Sequence, residues 1–301
     1  MLVVGSVNLD LGYTLGRLPR VGETLHATGR FRTGGGKGAN QALAASRLGA
    51  DVTLLASVGH DAEHALADLA AAGVGLGAVI RHDDAVTGTA VLLVVPDDNC
   101  IVVDARANDL LRPEHVRALA ADTPPPAVVV TGHEVPAPVV EATLRAFAGR
   151  TRVLLNPSPA RALNPELLAL VDVLVLNEGE LADLLALDPA PATPDAVAAV
   201  LKDSGLGDTL VTLGVGGVVA FEQGTTTHVP AFRVDAIVDT VGAGDAFLGA
   251  LAASLADGVP PRIAATRASA AAAIAVTAHG ARGAELTPDA VDAILRREPA
   301  A

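Results

Sequence analysis

Short apolar runs alternate with helical patterns along the chain, and this alternation predicts the architecture. Six runs have the length and apolar content of strands that are buried on both faces of a parallel sheet. They are residues 2–7, 52–58, 127–131, 153–155, 171–176 and 209–213. Helical periodicity lies between them, at about residues 38–49, 61–72, 136–149, 163–170 and 178–187. The pattern predicts an α/β fold, a doubly wound, mostly parallel sheet with helices on both faces.

Two regions, at about residues 11–33 and 86–104, lack the helical pattern. In the second region, β-prone runs at residues 89–95 and 100–103 flank a turn-rich tetrad, residues 96–99, and this arrangement predicts a β-hairpin. We expect the two regions to pair into a small antiparallel β-sheet that serves as a lid over a cleft.

The composition agrees with an α/β fold. Half of the residues are hydrophobic but only 2% are aromatic, so the core must consist of Ala, Val and Leu, which suits close packing of helices on a sheet. The chain becomes helical from Gly242 almost to its end, and no linker divides it. We therefore expect one domain over residues 1–301, with the lid as two inserts.

The net charge limits the classes of partner. A formal charge of −13 repels nucleic acid and anionic membrane surfaces, so we expect neither as a partner. The Ala-rich run at residues 268–278 is too short to span a bilayer, and the N-terminus lacks the basic region of a signal peptide. Cys100 is the only cysteine, which excludes an internal disulfide and fits a reducing compartment. These features predict a cytoplasmic protein.

A glycine-rich segment at residues 34–41 opens a helix, so a ligand can approach its backbone and the helix N–H groups. The segment fits G-x-G-x-x-A literally, but residues 22–33 do not form the buried strand that a dinucleotide site requires. A Walker A loop fails because Gly38 occupies its Ser/Thr position. Lys37 is one of only two lysines, and the alternative is a tight turn with a solvated lysine.

The stretch Gly242-Ala243-Gly244-Asp245 precedes a second helical run. Backbone amides at a helix N-terminus can converge on an anion, and a carboxylate there can accept a proton from an attacking hydroxyl. The pattern indicates an anion hole with Asp245 as catalytic base. Taken alone, Asp245 would equally suit a carboxylate that merely complements the helix dipole.

Two further segments are candidates for the nucleotide side. Asn177 and Glu180 follow a strand and start a helix, so they could face nucleotide phosphates through Mg²⁺ or form only a capping pair. The segment 212–217 runs from a strand into glycines that let a nucleotide lie against the backbone, or that form only a hairpin turn.

Asn8 and Asp10 are candidates for a sugar site. Their spacing of two in a strand places them on one face, and an amide with a carboxylate suits vicinal hydroxyls. An Asx turn at the strand end is the alternative explanation.

Taken in this order, the motifs resemble the ribokinase family (PfkB) of carbohydrate kinases, from Gly5 to about Gly283. Residues 35–42 and 239–245 look like the two family signatures, and residues 156–161 resemble the ribokinases within the family. The resemblance implies transfer of the ATP γ-phosphate to the 5-hydroxyl of D-ribose. It also implies Mg²⁺, a monovalent cation such as K⁺, and a homodimer that forms through the lid.

The resemblance carries roles to individual residues. It implies sugar contacts from Asn8, Asp10, Gly36, Lys37, Asn40, Glu134 and Asp245. It implies nucleotide contacts from Asn177, Glu180, Thr212, Gly214, Gly217 and Gly244. It implies a catalytic group of Asp245, Gly242, Ala243 and Gly244, and a monovalent-cation site at Asp239, Val241, Ala275 and Gly280.

Two residues depart from the family pattern. Ala284 stands where ribokinases often have serine, so we expect weaker activation by potassium. Arg106 stands where they usually have glycine, and we expect it to crowd the sugar site or to add a contact there. The alternatives are a kinase for deoxyribose, fructose, ketodeoxygluconate or a nucleoside, a catalytically silent sugar-binding protein, and a nicotinamide-dependent oxidoreductase.

Overall fold

The computed structural model describes residues 1–96 and 98–297, without the side chains of Asp98 and Asn99. Its strands are β1 Leu2–Val4, β2 Asn8–Thr14, β3 Gly29–Gly35, β4 Thr53–Leu55, β5 Ser57–Gly59, β6 Ile80–His82, β7 Gly88–Val95, β8 Asp98–Asp104, β9 Val128–Gly132, β10 Arg152–Asn156, β11 Val173–Asn177, β12 Thr209–Thr212, β13 Val218–Glu222 and β14 Thr225–Val229. Its α-helices are α1 Lys37–Arg47, α2 Glu63–Ala71, α3 Pro113–Asp122, α4 Ala137–Phe147, α5 Pro165–Leu168, α6 Glu178–Leu185, α7 Pro194–Asp203, α8 Ala243–Ala256, α9 Pro261–Ala275 and α10 Pro288–Leu295.

The main sheet has eight strands in the order β14-β13-β12-β11-β10-β9-β1-β4. Neighbours from β4 to β12 run parallel, and β13 and β14 add an antiparallel edge. The six apolar runs all supply parallel strands, which confirms the predicted fold class. The run at residues 52–58 is not one strand, however. It divides at Ala56 into β4 and β5, and β5 pairs with β6 in a separate two-stranded sheet.

Helices cover both faces of the main sheet and bury two separate cores. The pleat of β1 directs Val3 into the core with α1, α8 and α9, whereas Leu2 and Val4 enter the core with α4 and α7. Alanine fills much of the first core, so these helices lie close to one another. At Gly249 in α8, a Cβ would lie 2.6 Å from the carbonyl oxygen of Gln41 in α1. This glycine therefore lets α1 and α8 pack closely.

A four-stranded sheet in the order β3-β2-β7-β8 forms the predicted small sheet. The hairpin of β7 and β8 is confirmed, although Asp97 in its predicted turn lies outside the described residues. The prediction of an all-antiparallel sheet is wrong, because β2 and β7 pair in parallel. The chain between these two strands includes α1 and α2, which is long enough for the return that parallel pairing requires.

Within residues 1–96 and 98–297, no helix is long and apolar enough to cross a bilayer.

Candidate active site

Asp245 lies in the first turn of α8, where that helix meets the start of α1. The residue is 8% exposed. Oδ2 accepts a hydrogen bond from Asn40 Nδ2 at 3.0 Å, and Oδ1 accepts one from Gln41 Nε2 at 3.0 Å. Two amide donors from α1 therefore fix both carboxylate oxygens of the predicted base. Such contacts go beyond a carboxylate that only complements the helix dipole.

The residues before Asp245 form a turn that requires glycine at its start. Gly242 has φ of +80°, and a Cβ on it would lie 2.4 Å from the Cα of Ala281. Gly244 is different, because a Cβ there would meet no atom within 4 Å. Within the described part of the chain, the N–H groups of Gly244 and Asp245 donate no backbone hydrogen bond. These two amides are free for an anion, as the predicted anion hole requires.

A cavity of about 640 Å³ opens beside this turn, a size typical of small-molecule sites. The predicted nucleotide residues that line it are Asn177, Thr212, Gly214, Gly217 and Gly244. A smaller cavity of about 70 Å³ shares Asn177, Thr212 and Gly244 with it, and Lys37, Glu180 and Asp245 also line this smaller space. The larger cavity therefore adjoins the predicted base, and all six predicted nucleotide residues line one or both spaces.

Asn177 and Glu180 form a capping box at the start of α6. Asn177 Oδ1 accepts from the Glu180 amide at 2.8 Å, and Glu180 Oε2 accepts from the Asn177 amide at 3.0 Å. These side chains therefore form the capping pair that was the alternative to a role at the nucleotide phosphates. Among the described residues, no group of three or more His, Cys, Asp and Glu side chains is placed to hold a metal ion.

The glycines after β12 both turn the chain and line the larger cavity. Gly217 has φ of +84°, and a Cβ on it would lie 2.2 Å from the carbonyl oxygen of Val229. The two strands that flank this turn, β12 and β13, pair antiparallel, so the hairpin alternative is correct for the backbone. The same turn also exposes Gly214 and Gly217 to the cavity.

Asn8 and Asp10 lie in β2, next to the glycine-rich segment. Asn8 is buried, and its Oδ1 accepts from Asn108 Nδ2 at 2.8 Å. The Asp10 carboxylate lies beside Gly35, where a Cβ would come within 2.1 Å of Oδ1. This buried Oδ1 has no hydrogen-bond partner in the described structure. A buried carboxylate oxygen without a partner is the acceptor that a ligand hydroxyl can satisfy.

Burial also changes the acidity of Asp10. Desolvation of its carboxylate raises the pKa to about 6. The positive charge of Arg282 opposes this rise, whereas the negative charges of Glu134 and Asp245 add to it. The carboxyl group is therefore poised to change its charge near neutral pH.

Glu134 and Lys37 lie at the start of α1. Glu134 Oε2 accepts from the Lys37 amide at 2.9 Å and from the Ser6 hydroxyl, so it binds the N-terminus of the helix. Burial by itself lowers the pKa of the Lys37 ammonium, but the carboxylates of Asp245, Glu134 and Glu180 together raise it. Lys37 is therefore a charged ammonium group close to three carboxylates and not a solvated turn residue.

The predicted cation residues come together partly through one carboxylate. Asp239 Oδ1 accepts from the Val241 amide at 3.0 Å, and Oδ2 accepts from the Gly280 amide at 2.8 Å. Ala275 is the last residue of α9 and precedes Val276, whose carbonyl accepts from the Val238 amide at 2.8 Å. The loop at Gly280 is thus joined to the chain at residues 238–241 that leads into α8.

Arg106 is the first residue of a short 3₁₀ helix, Arg106–Leu110. Its guanidinium pairs with Asp104, and both side chains are more than half exposed. Its φ is +46°, in the left-handed region that favours glycine. This conformation gives a physical reason for glycine at this position in related chains.

Three residues of the site were not predicted: Gln41, Asn108 and Arg282. Gln41 stands in the glycine-rich segment, and a glutamine at the start of a buried helix was a usable signal. Asn108 lies in a short 3₁₀ helix, Arg106–Leu110, and binds both the amide and the carbonyl of Val7. Nothing in the local sequence singled out Arg282.

Proteins similar to this chain are carbohydrate kinases. A family model described as pfkB family carbohydrate kinase matches residues 1–288. The chain is 36% identical over 272 residues to a ribokinase of Staphylococcus aureus, covering 85% of this chain and 86% of that protein. It is 37% identical over 259 residues to a deoxyribokinase of Salmonella typhi, covering 83% of each. The structure of Arabidopsis thaliana ribokinase complexed with ribose and ATP superposes with a TM-score of 0.85 at 28% identity, covering 99% of this chain and 98% of that one.

The strand preceding the glycine-rich segment, β3, belongs to the small sheet and pairs antiparallel with β2. It is not the buried parallel strand of a dinucleotide site, which removes the basis of the oxidoreductase alternative. The chain belongs to the pfkB family of carbohydrate kinases and is a phosphotransferase that acts on a hydroxyl group.

Proposed function

We propose that this chain is an ATP-dependent ribokinase that transfers the γ-phosphate to the 5-hydroxyl of D-ribose. The observation that carries the proposal is the position of Asp245. Its carboxylate is held by Asn40 and Gln41 and lines the space that adjoins the nucleotide-sized cavity. The S. aureus ribokinase and the Arabidopsis ribokinase complexed with ribose and ATP support this substrate pair.

In this proposal, ribose binds between the small sheet and α1. Its hydroxyls donate to the partnerless Oδ1 of Asp10 and contact Asn8, Lys37 and Asn40. ATP occupies the larger cavity, with its terminal phosphate against the free amides of Gly244 and Asp245.

Asp245 accepts the proton of the 5-hydroxyl as that oxygen attacks the γ-phosphorus. One O–P bond forms to ribose, the O–P bond to ADP breaks, and the proton resides on Asp245. The free amides and the Lys37 ammonium stabilise the charge that develops on the transferred group. Catalysis thus consists mainly of positioning and fixed electrostatics.

Magnesium enters this proposal as the partner of the ATP phosphates. When bound, it supplies charge neutralisation on the β- and γ-phosphates. Glu180 uses one carboxylate oxygen in the capping box. In this proposal its other oxygen accepts hydrogen bonds from water molecules bound to Mg²⁺. ADP release with and without Mg²⁺ tests this role, and equal rates would contradict it.

We propose a monovalent cation where the loop at Gly280 meets Asp239 and Val241. Ala284 lacks the side-chain oxygen that the serine common in ribokinases would offer to this site. We expect weak activation by K⁺, measured as turnover in KCl against choline chloride. If turnover in choline chloride were almost abolished and KCl restored it, K⁺ would be an essential activator, and the proposed effect of Ala284 would be wrong.

We further propose that the protein is cytoplasmic, where ATP is available. We also propose that it forms a homodimer through the small sheet. The edge strand β8 has one unpaired side, and Ile101, Val102 and Val103 are exposed in succession on it. An exposed apolar edge strand is a surface for pairing with a second copy. Sedimentation equilibrium of the chain and of Val102→Lys tests this, and a monomeric native chain would contradict it.

A coupled assay of ADP release separates the substrate alternatives. We expect kcat/KM for D-ribose to exceed that for deoxyribose, fructose, ketodeoxygluconate and adenosine. Deoxyribose is the second candidate, because the Salmonella typhi deoxyribokinase is 37% identical to this chain. A preference for another acceptor would overturn the assignment of ribose, and sugar binding without ADP release would indicate a catalytically silent relative.

The acidity of Asp10 predicts a pH effect on sugar binding. Its pKa of about 6 means that the carboxylate becomes protonated as the pH falls through 6, and an acid accepts hydrogen bonds poorly. We therefore expect the KM for ribose to rise about tenfold from pH 7 to pH 5. Initial rates across this range check the prediction, and a KM that stays flat would show that ribose does not need the ionised Asp10.

The same group predicts a stability effect. Folding raises the pKa of Asp10 from 3.8 to about 6. Protonation of Asp10 therefore stabilises the folded state. This contribution is fully present below the unfolded value of 3.8 and is lost as the pH rises through about 6. Asp10→Asn should remove that part of the pH dependence of the free energy of unfolding. Urea unfolding of both proteins at pH 5 and pH 8 measures the difference.

A further inference from the structure

Arg282 is a buried cation close to the proposed base. Its side chain is only 5% exposed, although it lies in the loop that follows α9. Its guanidinium makes four hydrogen bonds. The acceptors are Asn40 Oδ1 at 2.7 Å, Asp68 Oδ1 at 2.7 Å, the Gly35 carbonyl at 2.8 Å and the Ala65 carbonyl at 3.1 Å. A buried arginine with this many partners is fixed in position.

The contact with Asn40 determines which way that amide faces. Arg282 Nε–H can only donate, so it requires the oxygen of the Asn40 amide. The nitrogen of the same amide must then face Asp245, to which it donates at 3.0 Å. A reversed amide would place two donors together at Arg282 and two oxygens together at Asp245. The guanidinium therefore selects the orientation in which Asn40 binds the base.

The same side chain joins three parts of the molecule. Its contacts reach β3 through the Gly35 carbonyl, α1 through Asn40, and α2 through Ala65 and Asp68. The space for it exists because residue 34 is glycine, where a Cβ would lie 2.2 Å from Arg282 Nη1. The glycine-rich segment thus accommodates Arg282 as well as a ligand.

We propose that Arg282 is a positioning residue for the proton transfer, acting through the Asn40 amide on the carboxylate of Asp245. The proposal rests on the proposed function, in which Asp245 is the base. Arg282 itself touches neither substrate in this account. Its effect is therefore expected on kcat and not on the KM for ATP, since the nucleotide cavity is lined by other residues.

Arg282→Met removes the donors while keeping an extended apolar side chain. We expect kcat to fall about 10- to 100-fold, with the KM for ATP within about twofold, because a misplaced base lowers turnover at this scale. Arg282→Lys should recover part of the loss. Guanidinium ion at millimolar concentration should partly restore the turnover of Arg282→Ala and leave the native enzyme unaffected.

Two control variants separate this role from simple support of the loop. Arg47 binds the same loop through the carbonyls of Arg282 and Ala284, but has no bond to Asn40, so Arg47→Met should keep kcat within about threefold. Arg267 in α9 pairs with Asp292 outside the site, so Arg267→Met should likewise keep kcat within about threefold. Equal losses in Arg282→Met and Arg47→Met would overturn the proposal.

A double-mutant cycle makes the decisive measurement. If Arg282 acts through Asn40, Arg282→Met should lower kcat no further in a chain that already carries Asn40→Ala. A loss of kcat that is equally large with and without Asn40 would refute the inference. Should Arg282→Met not fold, as judged by circular dichroism, Arg282→Lys takes its place in the same cycle.

Failure of the proposed function gives a different result. The cycle is run with whichever acceptor the native chain phosphorylates best, so an error in the sugar does not affect it. Full activity of Asp245→Asn would show that Asp245 is not the base of the proposed function, whatever Arg282 does. An inactive Asp245→Asn combined with additive effects of Arg282 and Asn40 would contradict the inference about Arg282 alone.

Discussion

Replacing Asp245 by asparagine is expected to lower kcat by about 10²- to 10⁴-fold, the range typical of a lost general base. The introduced amide cannot take the proton of the attacking hydroxyl. It fits the same space, however, because the Gln41 amide can turn and present its oxygen to the new N–H₂ group. We therefore expect the melting temperature to change by only a few degrees. Steady-state kinetics and thermal unfolding of the same preparation check both parts.

The matched control is a carboxylate that lies in the first turn of a helix but outside the site. Asp195 occupies this position in α7 and is exposed. Asp195→Asn should remove a favourable interaction with the helix dipole, worth less than about 1 kcal/mol, and leave kcat unchanged. Near-native turnover of Asp245→Asn would show that the Asp245 carboxylate, like that of Asp195, only complements the helix dipole.

Gly244→Ala is expected to produce a protein that is at least as stable as the native chain and that turns over about 100-fold more slowly. The added methyl group meets no atom of the protein within 4 Å, so it should fit without strain. Alanine in a helix is favoured over glycine by roughly 0.5–1 kcal/mol. The methyl group would nevertheless occupy the space beside the free amides, where the proposal places the terminal phosphate. A displacement of about 1 Å in the reacting groups can reduce the rate about 100-fold.

A glycine far from the site provides the comparison. Gly207 is exposed, and a Cβ there would also meet no atom within 4 Å. Gly207→Ala should keep normal kinetics. Native kcat and KM for ATP in Gly244→Ala would mean that the phosphate does not lie against Gly244, and the proposed placement of the anion hole would be wrong.

The parts of the site that could be predicted from sequence are those with local requirements. A positive φ at Gly242 and the close approaches at Gly35 and Gly36 demand glycine at fixed positions, so they leave a readable pattern. Buried parallel strands leave a similar signal, because both of their faces must be apolar. The six parallel strands of the main sheet and the helix that follows Gly242 could be predicted from these signals.

Other parts depended on contacts between distant segments. The hydrogen bond from Asn40 to Asp245 spans 205 residues, and the one from Arg282 to Asn40 spans 242. No periodicity relates such positions, since close packing of α1 on α8 creates the contacts. The parallel pairing of β2 with β7 likewise arises from the return of the chain after α2. For this reason, a small sheet was predicted, but the parallel direction of its central pair was not.

The sequence by itself determined the fold class, the two glycine-rich turns and the identity of Asp245 as the candidate base, because short-range steric and apolar patterns specify them. Only the tertiary structure decided how that base is held. From the sequence alone, Asp245 could be either a catalytic base or a carboxylate that only complements the helix dipole. Burial beside two amide donors distinguishes the proposed base from an ordinary carboxylate at a helix end, because a buried carboxylate must have its hydrogen bonds satisfied by groups that folding brings to it.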